Sequence, residues 1–190
     1  MAEFNPFIRF CQQFSGLSEA AETSLLPSLV SKRYRRRERI VSQKEICSRL
    51  YFVESGLVKL CYPKTRSAAI LMFFPENSPF TVLDSFLSQT PGDKYVEAVE
   101  TTRLWSISKA SLETLCQRHH CIESFYRKLL ALACVRLMKR FQDMMNVSAE
   151  QRYDIFLAEN GPYVNRIHLR DIAAYLGINQ VSLSRIRGRR

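Results

Sequence analysis

The sequence has little of what loosens or staples a chain. Six glycines and seven prolines in 190 residues are too few for a disordered or collagen-like polypeptide. The longest apolar runs, such as Ala68-Ala69-Ile70-Leu71-Met72-Phe73-Phe74, stop far short of the ~20 residues a membrane-spanning helix needs. Residues 1–14 carry polar and charged side chains where an export signal would have its apolar core. Six cysteines are present, Cys11, Cys47, Cys61, Cys116, Cys121 and Cys134, and no two have Cys-x-x-Cys spacing. They read as reduced, mostly buried thiols of a cytoplasmic protein, with an iron–sulfur or thiol sensor as the alternative. Of the three histidines, the adjacent His119 and His120 have poor geometry for a shared metal, and His168 reads as an exposed terminal residue of a helix. A Gly-rich phosphate loop and a Gly-x-Ser-x-Gly elbow are both missing. No enzyme, metal or cofactor is therefore expected.

Acidic residues are also in short supply. Lys and Arg number 28 against 18 Asp and Glu, a net of +10, which suggests a polyanionic partner. The excess is uneven: residues 1–30 carry −2, residues 31–149 carry +9 and residues 150–190 carry +3. It peaks over residues 32–39, with six basic side chains and one acidic, and along residues 118–140. With 46% hydrophobic residues, the chain can bury a substantial core without staples.

Helical spacing of Phe7, Phe10, Cys11 and Phe14, and a cap at Ser18, predict two short N-terminal helices. From Tyr34 to about Ile107 the pattern changes to strand-length runs: 39–41, 50–53, 57–62, 68–74, 95–99 and 103–107. Turn signals at 54–56, 63–65, 75–77 and 91–93 separate them. Many short strands at near-regular spacing predict a sandwich or jelly roll, not a parallel α/β sheet. Helical periodicity returns at Ser108, first briefly and then over residues 122–145, where Ile122, Tyr126, Leu129, Ala133, Leu137, Phe141 and Met144 recur every three or four positions. Phe125, Leu130, Leu132, Val135, Met138 and Met145 widen this stripe enough to face two neighbours, the roll of its own subunit and the same helix of a second.

Residues 149–190 carry the strongest local pattern. A helix over 149–159 stops at Asn160-Gly161-Pro162. Helices over 169–176 and 180–187 then flank Gly177-Ile178-Asn179, the layout of a helix-turn-helix. Small Ala173 permits a close crossing, Gly177 supplies a left-handed helix end, Asn179 caps the second helix, and Ile172, Leu176, Leu183 and Ile186 form a shared core. Gln180, Val181, Ser182, Ser184, Arg185 and Arg187 are left to face outward, a chemistry suited to base edges and phosphates. Arg189 and Arg190 extend the basic run.

The order of parts resembles the Crp/Fnr family of bacterial transcription regulators. The segments that carry the resemblance are residues 50–60 (LYFVESGLVKL), residues 171–178 (DIAAYLGI) and residues 182–187 (SLSRIR). Phe73-Phe74-Pro75-Glu76 and Asp84-Ser85-Phe86-Leu87 with Pro91 look like the branch common in Bacteroidetes-type bacteria. The resemblance implies an α+β chain in three parts: a roll with flanking helices (1–120), a long dimerisation helix (121–147) and a winged-helix-like reading domain (148–190), its wing absent or truncated. It implies a homodimer joined through residues 122–145 that binds palindromic double-stranded DNA. Gln180, Val181 and Arg185 would sit where relatives read bases, and Arg170, Asn179 and Ser182 where they touch phosphate. Cyclic-nucleotide-binding members carry Gly-Glu at the start of a short helix and an Arg about ten residues on. Here that stretch is residues 80–87, and Lys94 and Tyr95 stand near the Arg position. Cyclic AMP or GMP is accordingly not the expected ligand. Phe80, Asp84, Ser85, Lys94, Tyr95 and Tyr126 are the candidate pocket for an unidentified effector. The alternative function is a sensing or protein-interaction module of this fold that binds no specific DNA.

Overall fold

The computed structural model describes residues 5–64 and 68–189. Residues 1–4, Thr65 of the expected turn at 63–65, and Arg190 lie outside the described residues. Helix α1 (Pro6–Ser15) starts at Asn5, whose Oδ1 accepts the N–H groups of Phe7 and Ile8, with Pro6 pre-set for the first turn. Ser18 caps α2 (Glu19–Leu25) in the same way.

Eight antiparallel strands follow: β1 (Val30–Tyr34), β2 (Arg39–Val41), β3 (Arg49–Ser55), β4 (Val58–Tyr62), β5 (Ala69–Phe74), β6 (Pro79–Phe80), β7 (Tyr95–Ala98) and β8 (Thr102–Ser108), with helix α3 (Leu83–Ser88) between β6 and β7. They form two four-stranded sheets, ordered β1-β8-β3-β6 and β2-β7-β4-β5. Phe52, Val53, Leu104 and Ile107 from the first share a core with Val58, Leu60, Val96 and Ala98 from the second. At the β3–β4 turn Gly56 has φ 98°, and a Cβ there would lie 2.4 Å from Thr102 Oγ1 and 2.7 Å from Thr102 Cα. Only glycine fits. Strand β6 was not expected, and α3 falls on the stretch at 80–87 that the resemblance set against a short helix. Strand β1 begins at Val30, ahead of the expected Tyr34, because four of its five residues are exposed and give no alternation.

Ser108 caps α4 (Lys109–Arg118), and α5 (His120–Asn146) runs 27 residues. Its stripe divides in two. Ile122, Phe125 and Leu129 are buried, with the Phe125 ring 6.3, 6.2 and 5.8 Å from those of Phe7, Phe10 and Phe14. Helix α1 thus pins the first half of α5 to the roll. Further on, Val135, Leu137, Met138, Phe141, Met144 and Met145 are exposed, Val135 by 65% and Met145 by 68%. A capping box of Ser148 and Gln151 opens α6 (Ala149–Asn160). A 3-10 segment (Gly161–Arg166), α7 (Leu169–Leu176) and α8 (Gln180–Gly188) complete the chain.

Strand β4 is buried on both faces. Val58 and Leu60 point into the roll. Leu57, ahead of the strand, and Cys61 join a second core with Ile70, Phe73, Tyr95, Val99 and the apolar residues of α6, α7 and α8. The C-terminal helices therefore share a core with the outer face of the roll. Cys11, Cys47 and Cys61 are buried, Cys116 and Cys121 half-buried and Cys134 exposed. Burial pushes the Cys61 thiol up to about 11. Among the described residues no helix is long and apolar enough to cross a membrane, and no group of His, Cys, Asp or Glu is placed to hold a metal ion.

Candidate functional site

Helix α7 ends at Gly177, with φ 72°, where a Cβ would meet Met144 Cε at 3.0 Å. Asn179 Oδ1 then accepts the Ser182 N–H at 2.7 Å and starts α8. Ile172, Ala173, Leu176, Leu183 and Ile186 are buried between the two helices. That burial fixes which side of α8 is free. Gln180, Val181, Ser184, Arg185 and Arg187 are exposed on it, Ser182 is half-buried, and Arg189 is exposed just past its end. Arg170 is exposed near the start of α7. All nine residues expected at this surface are thus on one helix-turn-helix. Arg170, Asn179 and Gln180 also border a cleft against the roll, opposite Lys59, Tyr95 and Glu97.

The C-terminal helices are held to the roll by charges that lie far apart in sequence. Lys59 Nζ donates to Asp171 Oδ2 at 2.9 Å and lies 3.1 Å from Glu97 Oε1, with the three side chains 11%, 10% and 15% exposed. Burial works against the Lys59 ammonium. The hydrogen bond and charge of Asp171, with Glu97 behind, outweigh it and hold Lys59 above its ordinary value. Arg166 makes a two-pronged contact with Glu76, at 3.0 and 2.7 Å, and also pairs with Glu100. The Gly56 N–H donates to Glu76 Oε1 at 2.8 Å, so the glycine turn orients the carboxylate that grips Arg166. The Arg166 hydrogen bonds are the main reason Glu76 sits below the usual carboxylate value. Phe73 packs on Phe156 and Tyr175, with ring centroids 6.2 and 5.6 Å away. Arg140 of α5 covers the Tyr175 ring at 3.8 Å and donates to its carbonyl. At the β1–β2 turn, Arg36 reaches His168, the residue that precedes α7. The basic run at 32–39 therefore lies beside the helix-turn-helix.

The sequence reading did not identify this clamp. Its signals were a lysine inside an otherwise apolar strand and an aspartate inside α7, 112 positions apart.

The six candidate pocket residues separate into three places. Phe80 and Tyr126 line a cavity of about 100 Å³ between the roll and α5. Asp84 and Lys94 pair with each other at 2.5 Å, and Ser85 is buried, accepting the Cys47 N–H and donating to the Thr90 carbonyl. Tyr95 lies on the outer face beneath Arg39, 3.5 Å from its ring, and burial pushes it up to about 12.

Residues 31–119 match the family model of the cyclic nucleotide-binding domain. No curated protein gives a significant match to the sequence. Among solved structures, FixK2 of Bradyrhizobium japonicum is similar at 20% identity and TM-score 0.75, over 85% of this chain and 83% of that one. A protein of Eubacterium rectale assigned to the Crp/Fnr regulators is similar at 17% identity and TM-score 0.74, over 94% and 85%. The chain has the Crp/Fnr fold. The global regulator CLP of Xanthomonas campestris, described as responsive to c-di-GMP, is similar at 15% identity and TM-score 0.72, over 90% and 91%.

A cyclic nucleotide does not fit the residues that this Crp/Fnr roll places at its cavity. The cavity walls are almost wholly apolar. Lys94 is engaged by Asp84 and lies outside the lining, and Ser85 has no donor left over. The one charged lining residue, Arg136, is exposed on α5, so the cavity lacks the buried, anchored cation with paired donors that a ribose cyclic phosphate requires.

Proposed function

We propose that this protein is a sequence-specific DNA-binding transcription regulator that acts as a homodimer in the cytoplasm, with α8 as the reading helix. The observation that carries the reading is the division of α8. Leu183 and Ile186 anchor it, while Gln180, Val181, Ser184, Arg185 and Arg187 stand free in a helix-turn-helix with a left-handed glycine and an asparagine cap. Arg is the commonest specific partner of guanine, and Gln suits adenine. Arg170, Asn179, Ser182 and Arg189 would hold phosphates. The exposed apolar half of α5 supports the dimer, because a contiguous stripe of that kind marks an interaction surface. Two copies joined along it would present two α8 helices to a palindrome with half-sites about 10 base pairs apart. The three proposed units are residues 1–120, 121–147 and 148–190. The arginines at 35–37 beside α7 would steer the duplex and contact its flanks.

Electrophoretic mobility with a selected duplex tests this reading. The wild-type protein should shift one sequence in excess of random competitor, and Arg185→Ala should lose that preference while remaining dimeric. A wild type that prefers no sequence in modest salt would favour an interaction module instead.

A further inference from the structure

Helices α5 and α6 are joined by two non-helical residues, Val147 and the cap Ser148. Val147 is extended, with φ −113° and ψ 134°. So thin a link would, by itself, let α6 and the helices behind it pivot on the end of α5. Two arginines cross the junction. Arg152 of α6 donates Nε and Nη2 to the Leu176 carbonyl at 3.3 and 3.1 Å, and Nη1 to the Val147 carbonyl. Arg140 of α5 donates to the Tyr175 carbonyl and lies 3.8 Å over the Tyr175 ring. The two guanidiniums thus take two of the last carbonyls of α7, groups that a helix end leaves without internal partners. The negative end of the helix favours cations there. The Lys59–Asp171 clamp grips the first turn of α7, and these arginines grip its last. Only Gly177 and Ile178 separate that end from the Asn179 cap of α8, so whatever fixes the end of α7 also fixes the start of α8.

We propose that Arg140 and Arg152 are positioning residues that lock α8 at one angle to α5, and thereby set the half-site spacing the dimer accepts. The spacing consequence rests on the regulator reading, and the lock itself does not. The chemistry calls for arginine at both places. A guanidinium reaches two carbonyls at once through a planar fork, or bonds a carbonyl while lying flat on a ring. A lysine ammonium is a point charge on a flexible stem and does neither. The duplex sets how stiff the junction has to be. One added base pair moves a half-site about 3.4 Å along the axis and about 35° around it. A dimer separates one spacing from the next only if its junctions give by less than that.

The test has one arm without DNA and one with it. In the first, a spin-labelled unnatural residue replaces Ser184, exposed on α8, because six cysteines rule out thiol labelling. Pulsed dipolar spectroscopy then reads the label-to-label distance across the dimer. Wild type should give one narrow distribution, and Arg152→Lys and Arg140→Lys each one about twofold broader. In the second, unlabelled proteins bind the duplex that wild type selects, and versions with one base pair added or removed between the half-sites. Wild type should favour its own spacing about tenfold. Arg152→Lys should reduce that ratio to about threefold, with the preference for bases within each half-site intact, a split that a general loss of folding does not produce. Distributions as narrow in both lysine variants as in wild type, a wild-type distribution that is already broad, or an equal loss of affinity at every spacing would each overturn the proposal. A wild type that prefers no sequence would remove the regulator reading and the spacing consequence with it, while the label distances would still decide the lock.

Discussion

Replacing Lys59 with methionine removes the one ammonium that a buried carboxylate, Asp171, shares with a half-buried one, Glu97. Asp171 and Glu97, 10% and 15% exposed, would then face each other without it. Stranding buried charge costs about 3–5 kcal/mol when no partner remains. Here Asp171 keeps Arg170 at 3.5 Å and its place in the first turn of α7, and Glu97 keeps Arg39 at 3.5 Å. The expected loss is therefore smaller, about 2–3 kcal/mol. Asp171→Leu alone leaves Lys59 with Glu97 and should cost about 1–2 kcal/mol. The double variant exchanges the pair for apolar contact beside Phe73 and Ile70 and should fall well short of the sum, with a coupling energy of about 2 kcal/mol. Urea denaturation of the four proteins gives the cycle, and urea spares the ion pair from screening. Hydrogen exchange of the α7 amides reports whether the C-terminal helices come away before the roll unfolds. Single substitutions that each cost under about 0.5 kcal/mol, with no coupling, would be the behaviour of a solvated surface pair. They would refute the claim that Lys59 holds α7 to the roll.

Other outcomes follow from the same geometry. Phe141→Glu, on the exposed stripe of α5, should shift sedimentation from dimer to monomer with the fold retained by circular dichroism. Arg189→Ala should leave sequence preference intact but flatten the dependence of log K on log salt by about 0.9 for each subunit. Glu76 has a lowered value, so its stabilising contribution is complete above its ordinary value near 4.5 and is lost as the pH falls through the depressed one. Proteolysis at the α5–α6 junction should therefore accelerate below pH 4.5, and Glu76→Gln should show that acceleration already at neutral pH. Gly177→Val should destabilise by more than about 1 kcal/mol, because φ 72° is strained for a β-branched residue and Met144 stands in the way.

What could be read from the sequence was what is local. The expected helices at 169–176 and 180–187 correspond to Leu169–Leu176 and Gln180–Gly188, because Gly177, Asn179 and four apolar residues, all within residues 172–186, specify them. The central strands were legible from their apolar runs. Strand β1 was not, with only Tyr34 of its five residues buried, nor was β6, which has two residues. The clamp was invisible for a different reason. Lys59 and Asp171, or Glu76 and Arg166, acquire meaning only when β4 and α7, or the β5–β6 turn and the 3-10 segment, are folded together. The Phe73-Phe74-Pro75-Glu76 motif first stood out as a family likeness. The structure gives it work, since Phe73 packs at a tilt against Tyr175 and Glu76 joins the Gly56 turn to Arg166. Of the six candidate pocket residues, Phe80 and Tyr126 line the cavity between the roll and α5, while Asp84, Ser85, Lys94 and Tyr95 lie outside its lining.

Selection of bound sequences from a random duplex pool tests the central claim most directly. The account predicts enrichment of a two-fold symmetric site whose half-sites lie about 10 base pairs apart, and loss of that enrichment in Arg185→Ala. Recovery of a pool that stays random, from a protein shown to be folded and dimeric, would contradict it.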